Sequence, residues 1–315
     1  MHRFLSAADV ERVLTPPLCI EAVEDAFRQL AQGGVPAPGI LGLHAGEGSF
    51  HVKAGFLNGD RPYFAAKVNA NFPGNPRQGL PTIQGVVYLC DASNGAPLAV
   101  MDSGAITALR TAAASAVAAK HLAAGSCDAA LICGCGAQAM AQVRALRAVR
   151  QPKRWLAFDT EPAKAVAFAA AAGAEFGTPF EAATDLAQAV GMSRIIVTCT
   201  TARRFFITRE MVRPGTFIAA VGADSEGKQE IDPRLLAAAK VVTDLTAQAA
   251  AIGDLHHAIA AGVMTARDVH AELAEIVAGR KPGRAGDGEI TVFDSTGTGL
   301  QDVAAAIAAY RGSVT

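Results

Sequence analysis

The stretch Ala129-Ala-Leu-Ile-Cys133-Gly134-Cys-Gly136-Ala137-Gln138-Ala139 decides how the fold is read. An apolar run that meets Gly-x-Gly-x-x-Ala ahead of a helical pattern predicts the strand, turn and helix that open a dinucleotide-binding unit. Gly134 allows the tight turn, Gly136 lets a pyrophosphate approach the backbone, and small Ala139 lets helix pack closely on strand. The helix N-terminus that follows offers free N–H groups and the positive end of a dipole to phosphates. Glycine-rich turns of this kind also occur without a ligand, so support must come from the flanking chain.

On the C-terminal side of the turn, strand and helix patterns alternate. Strands are predicted at 129–133, 154–158, 194–198, 216–221 and 240–242, with helices at 138–149, 162–172 and 180–190 between them. This alternation predicts an α/β, Rossmann-type doubly wound parallel sheet. Asp159 closes the second strand about 20 residues past the glycine turn, where a carboxylate accepts from ribose hydroxyls. Thr160-Glu161-Pro162 follows it with no arginine, which favours NAD(H), with NADP(H) as the alternative. Helical patterns at 249–263 and 266–278, a linker at 281–288, a strand at 289–293 and a helix at 300–310 complete this half.

The N-terminal half reads differently. Ser6 caps a first helix, and Ile20, Val23, Phe27 and Leu30 mark one face of a second. Val35 to Gly48 is loop or edge strand, and strands at 50–57, 63–69, 84–90 and 98–101 form a meander rather than βαβ units. Ser103 is expected to cap a long helix, 105–123. Lys67 lies among apolar strand residues, and the plain reading is a lysine whose head reaches water. Arg110 stands among alanines near a helix start, where it either holds an anion or makes an ordinary salt bridge. Asp224, in Gly222-Ala-Asp224-Ser-Glu226-Gly-Lys228-Gln-Glu230, follows the end of a parallel strand. It is a candidate acid/base or a turn cap, and Lys228 meets the cofactor or fixes the loop.

Composition sets outer bounds. The 315 residues suffice for about two domains, and half of them are hydrophobic. A formal net charge of −1 argues against nucleic-acid and membrane-surface partners, both of which need clustered basic excess. Six cysteines are scattered without metal-ligand spacing, and no metal site is expected. The N-terminus lacks a signal-peptide pattern, and the longest apolar stretch, 165–174, is too short to span a bilayer. A cytoplasmic, soluble protein is expected.

Taken together, several stretches resemble the ornithine cyclodeaminase/mu-crystallin family in family order. They are Ala66-Lys67-Val68 with Phe72-Pro-Gly-Asn75, Gly79-Leu-Pro-Thr82, Ile106-Thr-Ala-Leu-Arg110-Thr111-Ala-Ala113, Gly134-Cys-Gly-Ala-Gln138, Gly222 to Glu230, and Phe293-Asp-Ser-Thr-Gly297. The resemblance implies a substrate-binding and dimerisation α+β domain (1–124 with 290–315) and an NAD(P) domain (125–289). It implies Lys67 facing the substrate carboxylate and imine, with Asp224 beside it as acid/base. Thr82, Arg110 and Thr111 would lie near the cofactor phosphate and nicotinamide, with Arg110 also near substrate. Gly134, Gly136, Ala137, Gln138, Asp159, Thr160, Thr198 and Lys228 would contact cofactor. Ser295, toward the cofactor, and Thr296, toward the substrate, would belong to the loop that closes the site.

Two departures stand out. The segment Pro36-Ala-Pro-Gly39-Ile lacks the arginine with which many relatives grip the substrate carboxylate, while Lys53 stands where relatives often carry Met. Lys53 takes over that contact or is a solvated strand lysine. Glu226 replaces a frequent proline after Asp224, which bears on the rigidity of that loop. No carboxylate in 50–59 would pair with the distal ammonium of ornithine, and an unpaired buried charge is costly. The favoured reaction is therefore NAD(P)H-dependent reduction of a cyclic ketimine, Δ1-pyrroline-2-carboxylate or Δ1-piperideine-2-carboxylate, to L-proline or L-pipecolate. Ornithine cyclodeaminase, alanine dehydrogenase and a non-catalytic mu-crystallin-like binder are the alternatives, and a homodimer is expected.

Overall fold

Ser6 starts the first helix as its sequence predicts. Its hydroxyl accepts from the Asp9 amide at 3.2 Å while the Asp9 carboxylate reaches back to the Ser6 amide, a reciprocal capping box. The computed structural model describes residues 2–125 and 127–314. In chain order the first unit contains β1 (Arg3–Leu5), α1 (Ala7–Val13), α2 (Pro16–Ala31), β2 (Gly39–Ala45), β3 (Gly48–Asn58), β4 (Pro62–Asn71), β5 (Ile83–Asp91), β6 (Pro97–Asp102) and α3 (Ser103–Leu122). The strands form one sheet in the order β1-β6-β5-β4-β3-β2, antiparallel from β2 to β6. The Pro- and Gly-rich segment before Gly48 thus supplies the edge strand. Asp102, not Ser103, caps α3, since its carboxylate accepts from the Ala105 amide at 2.8 Å. Ser103 is the helix's first residue, and its buried hydroxyl has no hydrogen-bond partner among the described residues.

Strand alternation assigns the two sheet faces. Tyr63, Ala65 and Lys67 of β4 are buried, and the intervening Phe64, Ala66 and Val68 are less so. The C-terminal helix, Gly299–Val314, packs on the first of these faces against β3 and β4, and also against α2. It comes so close that a Cβ on Gly299 would lie 2.3 Å from the Ala54 carbonyl oxygen, and one on Gly55 2.7 Å from that of Gly299. Backbone rests on backbone here. Gly299→Ala should therefore destabilise the protein by about 1–3 kcal/mol through overpacking. Denaturant unfolding checks this, and unchanged stability would show that the helix steps away freely.

The second unit holds β7 (Ala129–Cys133), α4 (Ala139–Arg147), β8 (Arg154–Phe158), α5 (Pro162–Phe176), β9 (Phe180–Ala182), α6 (Leu186–Met192), β10 (Ile195–Thr198), β11 (Arg203–Ile207), β12 (Phe217–Ala220), β13 (Gln229–Ile231), α7 (Pro233–Ala237), β14 (Lys240–Thr243), α8 (Thr246–Ile252), α9 (Asp254–Ala260), β15 (Ala271–Glu272), α10 (Leu273–Val277) and β16 (Thr291–Asp294). Eight strands form a wholly parallel sheet ordered β15-β14-β16-β12-β10-β7-β8-β9, the doubly wound architecture expected. The order reverses at β7, between β8 and β10, which is where such sheets bind ligands.

Several local expectations are corrected. Phe180 begins a strand instead of a helix, because its ring stacks on Trp155 at 5.6 Å, and Asp185 caps α6 five residues later. The 249–263 helix is two helices broken at Gly253, whose absent Cβ leaves room for the Asp294 carboxylate. The 266–278 helix is a 3-10 turn, the short β15 and then α10. Strands β11 and β13, not anticipated, pair in a small separate sheet.

Contacts divide the chain into one unit up to Ala113 plus the chain from Thr298, and a second spanning Ala114–Gly297. The first boundary falls inside α3, where the expected one was 124/125. The second falls at 297/298, where 289/290 was expected. The strand placed with the substrate domain, β16, instead pairs with β12 and β14 inside the parallel sheet. All four of its residues are buried, as an internal strand covered on both faces requires.

Candidate active site

In the first unit, Lys67 does not reach water. It is 3% exposed, and its Nζ donates to Asp302 Oδ1 at 2.7 Å and to Thr107 Oγ1 at 3.1 Å. Arg110, one helical turn past Thr107 on α3, donates from Nε to the same Asp302 oxygen at 2.9 Å and from Nη1 to Gln301 Oε1 at 2.8 Å. Asp302 and Gln301 stand in the first turn of the C-terminal helix, held there by the Gly299 contact. Lys53 on β3 is directly opposite Lys67 on β4. Thr111 is buried beside Arg110, whereas Thr82 lies in the 72–82 loop, its carbonyl accepting from the Phe72 amide at 2.8 Å.

Cations outnumber carboxylates in this cluster, and the protonation behaviour follows. Burial pushes the Lys67 ammonium down to about 7, helped by Arg110 and Lys53 and opposed by Asp302. Burial also raises the Asp302 carboxyl, but Lys67, Arg110 and Lys53 together hold it below its ordinary value. Asp302 is thus ionised while Lys67 titrates near neutrality. Lys67 and Arg110 both keep N–H donors beyond those bonds. Asp302 Oδ2 is a buried acceptor without a partner among the described residues. The arrangement is suited to holding a carboxylate and a protonated nitrogen together.

In the second unit, Gly134 adopts φ +93° to leave β7, and its amide donates to the Phe158 carbonyl at 2.8 Å. Asp159, at the end of β8, spans the turn: its carboxylate accepts from the Cys135 amide at 2.9 Å and from the Glu161 amide at 2.9 Å. Gly136 and Ala137 are exposed, and a Cβ on Gly136 would meet none of the described residues within 4 Å. Among the described residues no side chain caps the N-terminus of α4, and Gln138 Oε1 is buried without a partner. An open glycine and uncapped amides fit a dinucleotide pyrophosphate. Thr160 is exposed next to Asp159.

The remaining expected residues lie at the carboxyl ends of the parallel strands. Asp224 is half exposed and pairs with Lys228 at 2.6 Å, while the acid paired with Lys67 is Asp302. Thr198, expected at the cofactor, is fully buried and commits its hydroxyl to Glu230 at 2.6 Å. Glu230 also accepts from Thr200 and from the Gly222 amide, and burial still raises its carboxyl. Asp254 accepts the Glu230 and Ile231 amides, and Asp294 accepts the Leu255 amide. Burial drives Asp254 well above its ordinary value and Asp294 up to about 7. Ser295 and Thr296 donate to Asp244, and Gln248 donates to Thr296 at 2.8 Å, so their loop is tied down.

Sequence reasoning missed Asp302, Gln301 and Thr107. The available signal was an acid, with Gln301 before it, at the start of the otherwise apolar run Gly299-Leu-Gln-Asp302-Val-Ala-Ala-Ala-Ile307, which a solvent-facing helix would not place there.

The chain is similar to known proteins over nearly its whole length. A family model described as the ornithine cyclodeaminase/mu-crystallin family matches residues 1–313. An iminosuccinate reductase of Paracoccus denitrificans is 36% identical over 299 residues, 95% of this chain and 92% of that protein. An archaeal alanine dehydrogenase dimer solved with bound NAD superposes with a TM-score of 0.94 at 37% identity, covering 99% of this chain and 96% of that one. The Δ1-pyrroline-2-carboxylate reductase of Thermococcus litoralis, solved with NADH and L-proline, gives 0.93 at 34% identity, covering 99% and 97%.

Proposed function

The chain belongs to the ornithine cyclodeaminase/mu-crystallin family, and from that premise we propose that it reduces the C=N bond of a 2-imino carboxylate to a 2-amino acid with NAD(H). The buried Lys67–Asp302–Arg110 cluster carries this reading. Lys67 and Arg110 offer donors to the substrate carboxylate, and Asp302 Oδ2 offers an acceptor to the iminium N–H. Both contacts fix the imine carbon in one orientation, which is where much of the rate enhancement of such a reaction originates. A reduced nicotinamide, when bound, supplies the hydride. Gly136, Gln138, the α4 amides and Asp159 are the groups that would hold its dinucleotide. Asp224 serves in this reading as the acid/base, its carboxylate kept accessible and oriented by Lys228.

Δ1-Pyrroline-2-carboxylate and Δ1-piperideine-2-carboxylate are the substrates to which the sequence points. Cyclodeamination of ornithine is disfavoured, because a distal ammonium would add a further cation to Lys53, Lys67 and Arg110. Mixing the purified protein with NADH and Δ1-pyrroline-2-carboxylate should consume the reduced-nicotinamide absorbance, and Asp224→Asn should abolish the decay while NADH still binds. Silence with cyclic and acyclic 2-imino acids alike would sink the reductase. Proline formed from ornithine without added reductant would establish the cyclodeaminase instead.

We also propose a homodimer built on the outer face of the six-stranded sheet. Leu41, Leu43, Phe50, Val68 and Val86 share that face by register and are 54%, 56%, 39%, 38% and 44% exposed. A contiguous apolar face of this kind marks an interaction surface. The archaeal relative is a dimer. Light scattering should give twice the chain mass, and Val68→Glu should shift it toward the monomer. A monomeric wild-type protein would refute the assembly.

A further inference from the structure

Glu230, in β13, is a fully buried acid that the proposed chemistry does not use. Its two oxygens accept four hydrogen bonds. Oε1 takes the Thr200 amide and hydroxyl, each at 2.7 Å. Oε2 takes the Thr198 hydroxyl at 2.6 Å and the Gly222 amide at 2.9 Å. These donors sit where β10 and β12 end. The Val221 amide still donates to the Thr198 carbonyl at 2.9 Å, as in the sheet, whereas the Thr200 and Gly222 amides turn to the carboxylate. The backbone of Glu230 is fixed too, because Asp254 Oδ1 accepts its amide at 2.8 Å and that of Ile231 at 2.9 Å.

Both clamped segments adjoin groups assigned to the reaction. Thr200 lies against the dinucleotide turn, since a Cβ on Gly134 would come within 2.8 Å of Thr200 Cγ2. Gly222 opens the loop of Asp224, whose amide donates to the Gly222 carbonyl at 3.1 Å. A Cβ on Gly222 would fall 2.4 Å from Glu230 Oε1 and 2.5 Å from the Thr200 carbonyl oxygen, so glycine is what lets the carboxylate in. Apolar side chains of similar size often serve stability as well as a buried charge does. They cannot hold four donors from two strand ends in place. We propose that Glu230 is a positioning residue that fixes the Asp224 loop against the dinucleotide turn. The inference rests on the acid/base role of Asp224 in the proposed reductase. A glutamine at 230 would keep one accepting oxygen and turn N–H groups toward the donors on the other side, releasing either Thr200 or the Thr198 and Gly222 pair.

The test compares Glu230→Gln with wild type in NADH oxidation by Δ1-pyrroline-2-carboxylate, in NADH binding, and in peptide-resolved hydrogen exchange. In the variant kcat should fall about 100-fold, the cost of misplacing a reacting group by about 1 Å. KM and the NADH dissociation constant should stay near their wild-type values. Amides in 199–202 and 221–228 should exchange faster, with the rest of the parallel sheet unchanged. Thr198→Val removes one of the four bonds and should lose about tenfold in kcat, the weight of one hydrogen bond to a charged group. It decides the matter by the same readouts if Glu230→Gln does not fold. Unchanged kcat, a loss confined to KM or to NADH affinity, unchanged exchange, or exchange that quickens across the whole sheet overturns the assignment. If wild type oxidises NADH with no 2-imino acid, faster exchange confined to the two segments upholds the clamp and refutes the reductase.

Discussion

Asp302→Ala should destabilise the protein by about 3–5 kcal/mol, the cost of leaving buried cations without their counter-charge. Asp302 is 1% exposed and accepts from both Lys67 and Arg110, themselves 3% and 4% exposed. Its removal strands two charges that water cannot reach. Asp302→Asn separates charge from hydrogen bonding. Both donors use Oδ1 alone, so an amide in the same pose keeps both bonds and forfeits only the negative charge. The asparagine variant should therefore be the more stable of the two. Urea unfolding of both variants measures the difference, and an alanine variant as stable as wild type would mean that the cluster relaxes into solvent.

The second large effect concerns Lys67 and pH. Its ammonium titrates near 7, so it is charged below that pH and neutral above it. A substrate carboxylate needs the charged form. In the free enzyme kcat/KM should accordingly fall as pH rises through about 7, approaching tenfold per unit. Lys67→Arg should remove this limb, since a guanidinium stays protonated, and Asp302→Asn should move it to lower pH by removing the charge that supports the ammonium. Lys67→Met should lose about 30- to 5,000-fold in kcat/KM, the range for truncating one partner of a buried, hydrogen-bonded charge pair. A limb that persists unchanged in Lys67→Arg would assign it to another group, such as the substrate imine.

The legible parts of the site were those whose signal is local. Gly134 needs a left-handed backbone and Gly136 an unobstructed surface, and both demands are visible in a short motif. Lys67 and Arg110 stood out as charges in apolar stretches, with the choice between solvent, salt bridge and ligand left open. Thr198 was less legible: it ends a parallel strand, where cofactor contacts arise, yet its hydroxyl is taken by Glu230 from across a loop. The broken helices at 249–260 and 266–277 show the same limit. Helical periodicity was present, but Gly253 beside Asp294 and the pairing of β15 with β14 overrode it.

From sequence alone came the doubly wound parallel unit, the meandering sheet before it, the dinucleotide turn and the family. These follow from periodicity and turn chemistry acting over a few residues. Only the tertiary structure decided that β16 inserts between β12 and β14, and that Lys67 meets an acid 235 residues away. Strand order in a parallel sheet and the partner of a buried charge depend on how distant segments pack. No local pattern encodes them, and here two glycines, at 55 and 299, let the backbones close enough to bring Asp302 to Lys67.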